Sequence, residues 1–550
     1  MKNASASREP VFLAKQDPVW RKIEEGRFAA VFSGREATVR ELLGRLPENG
    51  RPSAEQLEKC LAALPGHYAA WIEAPGYSLA AVDSVRSIPL FYTLVNGSVK
   101  LSNDARSLCA EFGLVARNTD SLLEFFLAGY TTGNSTLIEG LSQLRAGEAL
   151  VCGPAGENPE FLRYYVFYER THSEAGEADL ALELAAQTDA IFDRLVEDLD
   201  GRPVWVPLSA GLDSRLIACK LAERKYPRVQ TFSYGIPGNQ EAKYARKVAG
   251  SAGLPWLFVN VPSDGYRDFF LSDARKVYWR YSDCMCSVPN LQDIVPLLDL
   301  KAGGLLPEDA VIVNGQSGDF MTGGHLPAVL AQDGTQQGDV FGLMIRKHFA
   351  LWTDIMNEPN LAGVRARLDE QARSIDAEFE DFPAAMHDCL EWQERQAKYV
   401  VNGQRVYDFL GLDWRLPLWE DEYMRFWPGV PVRLRLGQRL YLKYLSDWNY
   451  KDLFRTFRPE VSHWPGRRKI FFLLAQVAGL AGRRNKDLFY AYARYFGHYG
   501  YLWSMLAFSD FMRGAAHARN VVSFMADIWA EEHFGPGINH GIYVRAGGSA

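Results

Sequence analysis

The sequence predicts an α/β protein in two parts. A strand-rich α+β sandwich should occupy residues 1–172, and a parallel-sheet domain with a helical C-terminal part should occupy 181–550. Three observations carry this. Residues 25–170 hold short apolar or alternating runs (FAAVFSG, HYAAWIEA, SLAAVDS, LFYTLVNGSVKLS), separated by turn pairs such as Pro75-Gly76 and Asn96-Gly97. From residue 203 strand-like and helix-like segments alternate, which implies parallel strands with helices on both faces. The length, 550 residues, exceeds the ~250–300 residues that one core usually holds.

In chain order, helical stretches at Ser53 to Leu64 and Asp120 to Leu127 interrupt the early strands. Ser173 to Glu177 reads as a short linker into a long amphipathic helix. A strand at 203–208 meets a helix from 213. Then come a strand at 228–235, a helix from Asn239 to Ser251, and strands at 255–261 and 310–315. Residues 340–550 read as largely helical.

Composition excludes some functions. A content of 47% hydrophobic and 23% charged residues is that of a soluble globular protein, and a net charge of −7 argues against general nucleic-acid binding. The seven scattered cysteines suit reduced thiols of a cytoplasmic protein, and the Cys284-Met285-Cys286 pair lacks the companion ligands of a zinc site. The opening stretch has no apolar core of signal-peptide length. The longest apolar run, Ile470 to Gly482, is too short to span a bilayer. Its basic flanks fit a buried helix with snorkelling ends, the favoured reading, or a peripheral membrane contact.

The segment PVWVPLSAGLDSRLIACKLAE carries the chemistry. Ser209 to Ser214 lies between a strand end and a helix start, where an open parallel sheet binds ligands. Small residues let backbone N–H groups approach an anion, and the helix N-terminus adds partial positive charge. The P-loop Lys is absent. Asp213 within an anion loop is unfavourable unless a cation bridges it to phosphates, which implies Mg²⁺.

Ser209-Ala210-Gly211-Leu212-Asp213-Ser214 resembles the S-G-G-x-D-S pyrophosphate loop of the ATP-pyrophosphatase fold, and the chain resembles the asparagine synthetase family along nearly its whole length. VNGQSGDFMTGGH (313–325) is similar to that family's second phosphate motif, with Gly315, Asp319, Gly323 and Gly324 matching. DWRLPLWE (413–420) is similar to E-x-R-x-P-F-L-D through Arg415 and Pro417. GHYAAWIE, VDSVRSIPLFY, SNDARSL and GYTTGNSTLIEGLSQLRAGEAL resemble its glutaminase domain, of the Ntn-hydrolase type. The resemblance implies ATP-dependent adenylation of a carboxylate, with pyrophosphate release, then displacement of AMP by an amine. It implies that Leu208, Ser209, Ala210, Gly211, Ser214, Gly315, Ser317 and Gly318 hold ATP and pyrophosphate, that the backbone at Phe232 and Ser233 meets adenine, and that Asp213 and Asp319 ligate Mg²⁺. It also implies a catalytic Lys, for which Lys469 has the right separation and Lys443 is the reserve.

Departures from the family sharpen the expectation. Lys2 stands where the glutaminase nucleophile is Cys, and the first cysteine is Cys60, so the first domain should be non-hydrolytic. Gln316 replaces a Glu used in amide formation and Phe320 replaces another, which counts against aspartate as the acid. Asp413 is a candidate replacement acid/base, with an ion pair to Arg415 as the plain alternative. SYGIPGNQEAKYARKVAG and GQSGDFMTGGHLP resemble asparagine-synthetase-like proteins of surface-polysaccharide (O-antigen) clusters. The expected acid is thus a sugar acid and the amine is ammonia or a small amine. The rivals are a macrolactam or β-lactam-type cyclase and a non-catalytic scaffold, and a homodimer is compatible with all three.

Overall fold

A computed structural model describes residues 10–543, apart from 16, 48–49, 154–157, 332–336, 376–381, 456–467, 496–502, 504 and 539–541. The first part contains ten strands: β1 (Val11–Leu13), β2 (Trp20–Glu25), β3 (Phe28–Gly34), β4 (Tyr68–Ala74), β5 (Tyr77–Val82), β6 (Phe91–Val95), β7 (Ser98–Ser102), β8 (Ser142–Gln143), β9 (Glu148–Cys152) and β10 (Glu160–Arg163). They form an antiparallel six-stranded sheet, β10-β9-β5-β4-β3-β2, and a four-stranded sheet, β1-β7-β6-β8.

The period of two along β4 and β5 sorts their side chains. Ala70, Ile72, Leu79 and Ala81 join one core with Val39 and Leu42 of α1 (Glu36–Arg45) and Leu57 and Leu61 of α2 (Ala54–Ala62). Ala69, Trp71, Ala80 and Val82 share the other core with Phe91, Val99 and Leu101 of the smaller sheet. Burial on both faces explains why YAAWI is a continuous apolar run. A further pair, α3 (Ala105–Phe112) and α4 (Thr119–Ala128), starts at the caps Asp104 and Asn118.

After the long helix α5 (Glu177–Leu199) comes a wholly parallel sheet of β11 (Val204–Pro207), β12 (Val229–Gly235), β13 (Trp256–Asn260), β14 (Val311–Val313) and β15 (Asp413–Arg415). Its order, β13-β12-β11-β14-β15, reverses direction between β11 and β14. Helices α6 (Leu212–Glu223) and α7 (Gln240–Ala252) make the crossovers on the first side. The reversal opens a crevice outside the carboxyl ends of β11 and β14. Strand β15, only three residues long, carries too little period-two signal to read from sequence.

The buried reading of the apolar run does not hold. Among the described side chains of helix Arg468–Leu480, Leu473, Leu474, Val477 and Leu480 are exposed and Ala475, on the opposite side, is buried, while the side chains of Ile470, Phe471 and Phe472 lie outside the described residues.

The two parts share one continuous core. Polar contacts also cross between them. Lys398, fully buried, pairs with Glu394 at 2.6 Å and donates to the carbonyls of Thr131, at 3.0 Å, and Gly133, while Gly133 N–H donates to Glu394 at 3.0 Å. Removing one partner strands the other charge in a dry interior. Lys398→Met should therefore cost about 3–5 kcal/mol of stability. Lys398→Met combined with Glu394→Leu should recover part of it, as read from urea midpoints.

Candidate functional site

The loop after β11 is held by its own hydroxyls. Ser209 N–H donates to Ser214 Oγ at 3.1 Å, the two hydroxyls lie 3.0 Å apart, and Gly211 N–H donates to Ser209 Oγ at 3.0 Å. Beneath the loop, buried Arg215 donates to the carbonyls of Ala210, at 2.8 Å, and Leu453, at 2.9 Å. Gly211 is the N-cap of α6 and offers no side-chain cap, which leaves first-turn N–H groups available to an anion.

The loop after β14 is pressed against this one. A Cβ on Gly315 would sit 2.8 Å from Asp213 Cβ, and one on Gly318 2.4 Å from Asp213 Cγ. Only glycine fits there. Ser317 takes the left-handed conformation, φ 65°, and its hydroxyl donates to Gln396 Oε1 at 2.7 Å. The short helix that follows sets Asp319 beside Asp213.

The two carboxylates repel. Burial, and then the charge of Asp319, push the Asp213 carboxyl up to about 7, although Tyr441 donates to its Oδ1 at 3.0 Å. Burial also opposes ionisation of Asp319, but His325 Nε2, 3.0 Å from Asp319 Oδ2, outweighs it and holds that carboxyl below its usual range. His325 in turn touches Glu391 through Nδ1. Despite burial, these two carboxylate partners raise His325 to about 9. Glu391, buried, also faces Lys347 and His348, each at 3.2 Å; burial pulls His348 down to about 4. Two neighbouring carboxylates are hard oxygen donors that suit Mg²⁺, which commonly takes one or two carboxylates and completes its shell with phosphate and water. Among the described residues no group of three or more acidic, His or Cys ligands could hold a metal alone.

The structure brings together Leu208, Ser209, Ala210, Gly211, Asp213, Ser214, Gly315, Gln316, Ser317, Gly318 and Asp319 at the two strand ends. Phe232 is buried: its carbonyl accepts from Leu208 N–H at 2.8 Å, and the Ser233 hydroxyl donates to the Leu208 carbonyl at 2.6 Å. Those contacts lock β12 to the loop. Gln316 accepts from Gln404 at 2.5 Å, which is held by Asn314 at 3.2 Å, in a network of neutral amides.

Two expected catalytic residues are elsewhere. Asp413 pairs in register with Val311 at the amino end of the sheet, opposite the crevice. There it binds Arg202 at 2.6 Å and lines a cavity of about 440 Å³ between the two parts. It does not pair with Arg415, which binds Asp198 at 2.6 Å. Lys443 forms an i,i+4 surface pair with Asp447 at 2.8 Å, two residues beyond Tyr441 and therefore on another side of the helix Arg439–Trp448. Lys469 begins the helix Arg468–Leu480, and its side chain lies outside the described residues.

Sequence reading missed Tyr441, His325 and Arg395. His325 sits inside a quoted motif, so its place there was a usable signal. Arg395 belongs to a π-helix, Trp392–Val400, a rare form that recurs at functional sites. It lies 5.9 Å from the Tyr399 ring centroid, has no carboxylate in ion-pair range among the described residues, and its charge favours the ionised Asp319. No local pattern marks a π-turn.

Residues 187–457 match the asparagine synthase family. A stretch of 212 residues, 37% of this chain, is 28% identical to asparagine synthetase (glutamine-hydrolyzing) 3 of Bacillus subtilis, and spans 34% of that protein's length. Among solved structures, the NH3-dependent NAD synthetase from Campylobacter jejuni overlaps 38% of this chain and 93% of its own, at 13% identity and TM-score 0.20. Glutamine phosphoribosylpyrophosphate amidotransferase from B. subtilis overlaps 56% and 59%, at 12% identity and TM-score 0.16. TM-scores this low carry no weight for the fold, which rests on the strand order above. The matched segment, just under half of the chain, contains both loops, Asp213 and Asp319, and this segment is asparagine synthetase-like.

Proposed function

We propose that the chain is an ATP-dependent amide ligase that adenylates a carboxylate and passes the acyl group to ammonia or a small amine. The acid is a sugar acid of a surface-polysaccharide precursor. The observation that carries this reading is the pairing of the Ser209–Ser214 loop with Asp213 and Asp319 across the topological switch point.

In the first step a substrate carboxylate oxygen attacks the α-phosphorus of ATP, and the bond to the β-phosphate oxygen breaks to release pyrophosphate. First-turn N–H groups of α6 and the Ser209 and Ser214 hydroxyls would hold the departing pyrophosphate. Mg²⁺ on Asp213 and Asp319 would neutralise charge on it. Tyr441 and His325 orient those two carboxylates by hydrogen bonds. In the second step the amine nitrogen attacks the acyl carbon, the bond from that carbon to the AMP phosphate oxygen breaks so that AMP leaves, and the nitrogen's proton passes to water. Gln316 is an amide and cannot take that proton, so its network positions substrate by hydrogen bonding. Arg395, half-buried on the π-helix and close enough for its charge to favour the ionised Asp319, would hold the acid's carboxylate, the cationic role expected of Lys469 or its reserve Lys443. The resemblance of the 233–250 and 315–327 segments to polysaccharide-cluster proteins supports the sugar acid.

Pyrophosphate release with a panel of sugar acids tests the reading. Release elicited by a uronic acid is expected. Release by peptides or amino acids only would give the site to a cyclase, and none with any acid would leave a scaffold. Asp319→Asn should abolish release, and an active variant would remove the metal assignment. Arg395→Ala should raise the acid's KM at least about tenfold, the scale of one lost charge-assisted contact, while Arg395→Lys should recover part of it.

Asp213 gives a pH signature. A carboxyl raised to about 7 contributes stability that is fully present below its ordinary value of 3.8 and lost as pH rises through 7. Asp213→Asn should therefore melt higher than the parent at pH 8, with the gap closing toward pH 4. Mg²⁺ should raise the parent's Tm at pH 8 and leave the variant's unchanged.

A further inference from the structure

We propose that the helix Arg468–Leu480, with the start of the helix Arg483–Tyr495, is a docking surface for an anionic lipid bilayer. Leu473, Leu474, Val477 and Leu480 are 65%, 46%, 57% and 89% exposed. Their spacing, i, i+1, i+4 and i+7, puts them on one side of the helix, while Ala475 on the other side is fully buried. Four large apolar side chains on one helix form a stripe, which soluble surfaces seldom leave uncovered. Phe508, 38% exposed, adjoins the second helix through its ring contact with Tyr495, 5.2 Å between centroids.

Charge selects the occupant. Residues 468–495 contain six Lys or Arg (Arg468, Lys469, Arg483, Arg484, Lys486, Arg494) against one acid, Asp487, a net +5 within a chain of net −7. A second copy docking through this face would bring two such segments together and repel. A nucleic acid would meet the cations but leave the leucines in water. Anionic headgroups above acyl chains satisfy both, since an apolar stripe flanked by cations is the pattern of a helix lying in a membrane interface. At 13 residues the helix is about 20 Å long, too short to span. No helix among the described residues is long and apolar enough to cross a membrane. The surface therefore lies along the bilayer, and this inference is independent of the chemistry assigned to the crevice.

The test is sedimentation of the full chain with vesicles of equal parts phosphatidylcholine and phosphatidylglycerol, against vesicles of phosphatidylcholine alone. Binding to the first and not the second is expected, weakening as salt rises. L473Q/V477Q/L480Q should lower the partition coefficient about tenfold or more, because each removes lipid contact, with the thermal midpoint unchanged. Should the triple variant fail to fold, Arg483→Glu alone should still weaken binding several-fold. Equal pelleting with and without vesicles, or full binding by the variants, would overturn the proposal. So would a concentration-dependent dimer that L473Q/V477Q/L480Q dissociates, which would assign the face to a second copy.

Discussion

The contact on which the site depends is the closeness of two backbones. Gly315 and Gly318 let the loop after β14 lie directly on Asp213, with no room for a side chain between them. That approach is the result of strand order. The two loops are neighbours because β11 and β14 are neighbours, and those strands adjoin only because the chain reverses direction across the sheet. Any side chain at either glycine would separate Asp213 from Asp319 and dissolve the pair.

Holding two carboxylates together in a half-dry crevice is unfavourable, and the surrounding residues manage the repulsion unequally. Asp319 is given a cationic neighbour in His325, itself anchored on buried Glu391. Asp213 receives only a phenol hydroxyl and remains the strained member. Asp213 is thus left with no cationic side chain in ion-pair range among the described residues, a place that a divalent cation would suit. On the far side of Glu391 the π-helix carries Gln396 to Ser317 and Lys398 to the first part of the chain. One element thus ties the crevice to the interface between the parts.

Much of this was legible along the chain. The β11-α6-β12-α7-β13 alternation, the long helix after the linker, the Asn239 cap and both glycine-bearing loops are local patterns, and each is found within a residue or two of its expected place. The catalytic cation and the acid/base partner were not legible. Of the candidates, helix phase turns Lys443, the reserve cation, to the surface, and strand register puts Asp413, the candidate acid/base, at the wrong end of the sheet. The Ile470–Gly482 run failed for a related reason: hydrophobicity says that a face needs covering, not whether another part of the chain covers it.

By itself the sequence determined the elements, the two anion-type loops and the carboxylates they carry, because these depend on residues close together in the chain. Only the tertiary structure decided that Asp213 faces Asp319, that Tyr441, His325 and Arg395 attend them, and that Asp413 does not. Such neighbours come from elements up to 228 residues apart, as Tyr441 is from Asp213. Their meeting is set by sheet order and helix phase, which no local spacing encodes.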